Sequence, residues 1–181
     1  MKLLSRKQVY SGKIVGLTVD TIELGGTEYI REVVRHPGGV VVLAELQDGR
    51  IPFARQFRYP INQSLLELPA GKVDAGEEPA LTAARELEEE TGFRPEHLNH
   101  VLNFYVSPGY CDEIIGFYYT DRVQETAAGL EHDEEIMVEF YRLEEAVELS
   151  LRGEIVDAKT LVALFWLHRE KGIRGNGGTF T

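Results

Sequence analysis

Apolar and polar residues alternate along this chain with two distinct periods. Val15, Leu17 and Val19 alternate with Gly16, Thr18 and Asp20, the period of two expected of a half-buried strand, whose successive side chains point to opposite faces. Gly25-Gly26 supplies a two-residue turn and Tyr29 to Val34 run back from it, so residues 8–36 read as an antiparallel opening. His36-Pro37-Gly38-Gly39 ends that opening, because proline donates no ladder hydrogen bond and glycine frees the backbone. A hairpin of this size cannot bury both its faces alone. It is expected to lean on something, either as a lid or as a dimerisation arm.

Two β-rich runs follow, Val40 to Leu46 and Ile51 to Phe57, joined by a turn at Asp48-Gly49. After Leu68-Pro69-Ala70-Gly71 the period lengthens to about 3.6. Pro79 suits a first helical turn, Leu81, Ala84 and Leu87 form an apolar stripe, and Gly92 suits the C-terminal cap. Further strands are expected over 99–107, 114–121 and 136–142, and a last helix over 157–171 with Leu161, Leu164, Phe165 and Leu167 inward. This order predicts an α/β (α+β) chain with a mixed sheet between helices. Residues 1–38 would form a small antiparallel β domain and residues 39–181 the main domain.

Composition narrows the function. At 43% hydrophobic and 27% charged residues, the chain has the balance of a globular protein, and 181 residues bury a core without disulfides or structural metal. One cysteine, Cys111, forms no internal disulfide and suits a reducing cytosol. The first residues lack the apolar run of a signal peptide, and no stretch approaches ~18 consecutive apolar residues. A cytoplasmic protein without a membrane span is expected. The net charge of −11 argues against nucleic acid, which calls for a basic footprint. Solubility explains such a charge, and so does a carboxylate cluster for divalent metal.

The helix of residues 79–91 carries that cluster. Glu86, Glu89 and Glu90 stand three and four apart, which brings their side chains to one face at a cost of about a few tenths of a kcal/mol per like-charged pair. Hard divalent cations relieve this repulsion, since magnesium takes oxygen ligands from one or two carboxylates, substrate phosphates and water. A solvated acidic face with Arg85 paired to Glu89 is the alternative. A glycine-bounded loop leading into the helix and an arginine before the first clustered glutamate favour the metal.

The segment 71–93 resembles the Nudix box, a glycine, five residues, a glutamate, seven residues, then Arg-Glu-hydrophobe-any-Glu-Glu-any-Gly-hydrophobe. Gly71, Glu77, Arg85, Glu86, Leu87, Glu89, Glu90, Gly92 and Phe93 fill its defined positions. The resemblance implies a Nudix α/β/α sandwich with a mixed sheet. It implies Glu86 and Glu90 as metal ligands, Glu89 on a second ion directly or through water, and the Ala70 carbonyl as a further donor. Gly71 and Glu77 would support the site and Arg85 would hold the glutamates. The cofactor would be Mg2+ or Mn2+, two or more ions per site, and the reaction hydrolysis of a pyrophosphate bond.

Two features resemble the ADP-ribose pyrophosphatase branch of that family. Pro108, after Ser107, stands 15 residues beyond Phe93. The run Arg31-Glu32-Val33-Val34-Arg35-His36-Pro37-Gly38 is similar to an N-terminal sheet domain exchanged between subunits, which implies a homodimer with Arg31 and Glu32 reaching the partner's substrate. Arg55 to Tyr59 and Leu66 to Gly71 are also similar. Arg58 is the candidate phosphate contact, because a guanidinium matches two phosphate oxygens at once; a surface ion pair is its alternative. Tyr29 is a candidate for stacking on the base, whereas Trp166 reads as core. The resemblance implies a general base on a late loop, where Glu134 aligns best and Glu131, Asp133 and Glu135 stay open; His132 reads as a solvent-exposed loop residue. The expected substrate is a nucleotide sugar, ADP-ribose first and GDP-mannose or another nucleotide sugar next. Oxidised nucleoside triphosphates fit less well, because enzymes acting on them commonly lack the arm. A domain that senses a nucleotide without cleaving it is the alternative outside enzymes, and such domains usually lose box glutamates that this chain keeps.

Overall fold

The computed structural model describes residues 1–126 and 136–175. A four-stranded mixed sheet organises the main domain, in the order β7 (Ala70–Lys72), β4 (Gly39–Ala44), β10 (Ile114–Thr120), β9 (Asn99–Tyr105). β4 and β10 run parallel, while the outer pairs are antiparallel. Every residue of β4 is buried, as a strand covered on both faces must be. Val41 and Leu43 enter a core with Phe117, Leu164 and Leu167, while Val40, Val42 and Ala44 meet Ala83 and Leu87 on the other side.

Helix α1 (Pro79–Thr91) supplies Ala83 and Leu87. Its Pro79 occupies the first turn, and Gly92 closes it at φ 75°, donating its N–H to the Glu88 carbonyl, a left-handed cap that glycine adopts without a Cβ penalty. The expected stripe is rotated. Leu81 is 64% exposed, and the inward face runs through Ala83, Leu87, Glu90 and Thr91. The site-bearing Glu90 shares the core-facing stripe, so the helix turns toward the sheet by its mixed face.

The opposite layer contains α2 (Leu143–Leu151) and α3 (Ala158–Gly175). In α3, Ala163, Leu164 and Leu167 are buried, whereas Phe165, expected inward, is exposed. α2 was not evident in the pattern, since only Leu143, Ala146 and Val147 are buried in its nine residues, too few to display a repeat. A second sheet, β12 (Ile136–Arg142), β5 (Arg50–Arg58) and β6 (Gln63–Glu67), is antiparallel, and β8 (Phe93–Pro95) pairs with β11 (Val123–Glu125). The layers are those of an α/β/α sandwich. No helix among the described residues is long and apolar enough to cross a membrane.

The arm is a three-stranded antiparallel sheet of β1 (Lys2–Ser11), β2 (Gly16–Leu24) and β3 (Thr27–Arg35), one strand more than the opening over 8–36 anticipated. β2 inverts the expected polarity. Thr18, Asp20 and Ile22 are its buried positions, while Leu17 and Val19 are only half-buried. Arg6 and Arg35 explain the inversion, closing on Asp20 at 2.7 and 3.1 Å. The bonds from Arg6, ahead of any other influence, hold the Asp20 carboxyl below the ordinary range. All ten residues of β1 are exposed.

Candidate active site

The site is built where the chain from Glu67 to Lys72 meets helix α1. β6 ends at Glu67, a short loop turns through Pro69, and Ala70 to Lys72 add to the sheet edge beside β4. Placing Gly71 at that edge brings Glu86 of α1 over its backbone. A Cβ on Gly71 would lie 2.0 Å from the Glu86 carboxyl carbon, so no larger residue is accommodated there. The neighbouring Ala70 N–H donates to Glu90 Oε2 at 3.2 Å. Glu90 is 4% exposed, which makes such a partner necessary for a carboxylate.

Arg85 gathers the remaining acids. Its Nη1 lies 2.9 Å from Glu86 and 2.8 Å from Glu89, and its Nε lies 3.5 Å from Glu77. Burial opposes the guanidinium's charge, but the bonds to Glu89 and Glu77 and the field of Glu86 leave it bound more firmly to its proton than an ordinary arginine. The Arg85–Glu89 pair of a solvated acidic face is thus present, though it belongs to a larger network. Among the described residues no three acids, histidines or cysteines stand close enough to hold an ion as they are, because Arg85 draws Glu86 and Glu89 while Ala70 takes Glu90. The donor set still fits a hard divalent cation: carboxylate oxygens on successive helical positions beside backbone that only glycine permits.

A cavity of about 460 Å3 opens beside Ala70 and Gly71, with Arg58, His36, Glu113 and Lys159 among its walls. Arg58 is half-buried and forms a two-point pair with Glu67, Nε to Oε1 at 2.8 Å and Nη2 to Oε2 at 2.7 Å. Those bonds, against the effect of burial, raise its hold on the proton, with Glu90 and Asp157 adding to the field. A cavity of about 580 Å3 lies elsewhere, lined by His97, His100, Asp121 and Trp166. It touches no residue of the glycine loop or acidic helix, and the smaller one is therefore the candidate.

Not every expected residue meets this cavity. Ser107 accepts the N–H groups of Tyr110 and Cys111 in a turn that exposes Pro108, with Val106 on the cavity wall. The turn leads into Asp112, which accepts from Arg35 Nη1 and the His36 N–H at 2.9 Å each. Arg31 is exposed and lies 5.6 Å over the Tyr29 ring. Glu32, also exposed, follows it in β3 and therefore points to the other face. Neither belongs to the cavity lining within one chain. Trp166 packs edge-on to Phe117 at 5.3 Å, in the core as expected. Glu131, His132, Asp133, Glu134 and Glu135 lie outside the described residues.

Glu113, Asp157 and Lys159 of the cavity wall, and Glu67 paired with Arg58, were not among the expected residues. Glu67 had a signal, a charge inside the apolar run Leu65-Leu66-Glu67-Leu68, which demands a buried partner. Lys159 had none, since it stands 92 residues from Glu67.

The comparisons with known proteins agree with this architecture. The NUDIX domain model matches residues 35–164, and the chain belongs to that family. It is 40% identical over 176 residues to the ADP-ribose pyrophosphatase of Bacillus subtilis (strain 168), covering 96% of this chain and 95% of the relative. It is equally 40% identical, with the same coverage, to the methanol dehydrogenase activator of Bacillus methanolicus. A crystal structure of an ADP compounds hydrolase superposes with a TM-score of 0.82 at 19% identity, over 98% of this chain and 97% of that one.

Proposed function

We propose that this chain is a metal-dependent pyrophosphohydrolase of nucleoside diphosphate sugars, with ADP-ribose its preferred substrate. One observation carries the reading: the glycine loop that seats Glu86 and Glu90 also forms a wall of a cavity bordered by Arg58. A diphosphate needs acid-bound metal on one side and a cation on the other; Arg58 borders the cavity, and Glu86 and Glu90 stand against the glycine loop that walls it. The relation to the Bacillus subtilis enzyme, over nearly the whole of both chains, supports the choice of substrate.

A bound Mg2+ or Mn2+, two or more per site, held by Glu86, Glu90, Glu89 and the Ala70 carbonyl, supplies charge neutralisation and a lowered water pKa. The chain's own residues do the rest. Arg85 restrains Glu86 and Glu89, and Glu77 and Gly71 hold the loop against α1. Arg58 contacts a phosphoryl oxygen through donors that Glu67 does not occupy. Water attacks one phosphorus and its proton passes to Glu134, with Glu131, Asp133 and Glu135 as alternatives. The bond from that phosphorus to the bridging oxygen breaks, and AMP and ribose 5-phosphate leave. Ser107 and Pro108 follow the cavity-lining Val106 in the chain, and their proposed part is to hold the turn that carries Val106 and Glu113 to the substrate.

The assembly proposed is a homodimer. The exposed strand β1 and the exposed Tyr10 and Ile30, which pair with Leu17 and Thr21 on one face of the arm, offer a surface that a second copy would cover, bringing Arg31, Glu32 and Tyr29 to the partner's substrate. A cytoplasmic setting, with no nucleic-acid or membrane partner, goes with the acidic charge and single cysteine. Incubation with ADP-ribose and magnesium, followed by chromatography, is expected to yield AMP. Micromolar binding without cleavage of any nucleoside diphosphate would favour a sensing domain instead.

A further inference from the structure

Glu67 has more cationic partners than a buried carboxylate needs. It is 2% exposed, and the two-point pair with Arg58 already neutralises it. Lys159 nevertheless also donates to its Oε2. That ammonium comes from the first turn of α3 and is itself held by Asp157 Oδ1 at 2.8 Å. Asp157 spends its other oxygen on the Thr160 N–H and hydroxyl, at 3.0 and 2.6 Å, capping the helix. Thr160 in turn accepts the Leu68 N–H at 2.9 Å. The start of α3 is therefore stitched to Glu67, the last residue of β6, and to Leu68 after it, four and three positions before Gly71.

Both cations face the same cavity. Glu67 takes the Nε and Nη2 donors of Arg58, whose fork carries five N–H groups, and one of the three ammonium protons of Lys159, while Asp157 takes a second. Each cation thus keeps donor capacity while its position is fixed. Burial pushes the Glu67 carboxyl up, but Arg58 and Lys159 together bring it below the ordinary range. The acid stays charged and the two cations stay tethered.

We propose that Glu67 is a positioning residue that holds Arg58 and Lys159 as a two-cation wall of the cavity, and that Lys159 contacts a phosphoryl group of the substrate. The inference rests on the pyrophosphohydrolase reading. A diphosphate has two charged phosphoryl groups, and the acidic helix faces only the side where metal would lie. Two tethered cations match the second group before and after cleavage, when its charge grows.

Steady-state kinetics on ADP-ribose with magnesium test this, together with melting curves of the same variants. Lys159→Met keeps the apolar stem and is expected to raise KM about tenfold with kcat changed by less than threefold, and Lys159→Arg to restore KM to within threefold of wild type. Glu67→Gln is expected to raise KM in the same direction by loosening both cations. Lys171→Met removes a cation paired with Glu45 outside the cavity lining, and should leave KM unchanged. A Lys159→Met protein that melts lower but keeps KM within twofold of wild type overturns the inference and leaves Lys159 a fold element. That result stands even where Glu67→Gln does not fold. A wild-type protein that cleaves no nucleoside diphosphate compound overturns the reading beneath, and the inference with it.

Discussion

The carboxyl group of Glu86 occupies the space above Gly71 that any side chain would need, 2.0 Å from where a Cβ would stand. The first and second halves of the box are thereby one packed unit. Gly71→Ala should displace Glu86 and lower metal-dependent turnover by about 10- to 100-fold, the usual effect of disturbing a ligand's support. The check is a magnesium titration of rate, which should show a raised half-saturation concentration with a native circular dichroism spectrum.

Glu90 lies buried on the core-facing side of α1, against the loop at Ala70. Its contact with the Ala70 N–H needs only an acceptor oxygen, which glutamine retains. Glu90→Gln should therefore fold like wild type, yet lose roughly 3 kcal/mol of transition-state stabilisation, about 100-fold in rate. Chelation of divalent ions should abolish wild-type turnover outright. A Glu90→Gln enzyme at wild-type rate in saturating magnesium would refute its role as a ligand.

The Glu67 cluster predicts an acid dependence of stability. Folding lowers the Glu67 pKa from its ordinary 4.5, so near that pH the folded state binds fewer protons than the unfolded one. The stabilisation is fully present above the ordinary value and vanishes as pH falls through the lower folded value. Glu67→Gln should cost about 3 kcal/mol at neutral pH, because Arg58 and Lys159 lose their buried counter-charge. Melting temperatures of the two proteins should converge as pH drops below about 4.5.

The arm predicts assembly. Sedimentation at micromolar concentration should give a dimer, and Tyr10→Asp with Ile30→Asp should shift it to monomer, since both residues are exposed in a single chain. Loss of activity on dissociation would accompany a partner contribution from Arg31 and Glu32. A clean wild-type monomer excludes that contribution.

Much of the fold was legible because local patterns coincide with it. The continuous apolar runs of β4 and β10, the glycine turns, and Pro79 and Gly92 bounding α1 are short-range signals, and the box at 71–93 states its own spacing. α2 was hidden by its length, and the buried face of β2 by an electrostatic exception: a pattern marks Leu17 and Val19 as inward, but Arg6 and Arg35 make Asp20 the residue to cover. Leu81 failed for a related reason, as the helix turns on Glu90 as well as on Leu87.

The sequence by itself determined the acidic helix, its glycine loop and the family to which they belong, because those depend on spacing within 23 residues. Only the tertiary structure decided what stands opposite. Arg58 was visible as a candidate phosphate contact, but its pairing with buried Glu67 and the arrival of Lys159 from α3 depend on packing the β5–β6 hairpin against a helix 92 residues away around one carboxylate. Charge of that kind leaves no periodic trace, since a salt bridge is specified by proximity in space and not by distance along the chain.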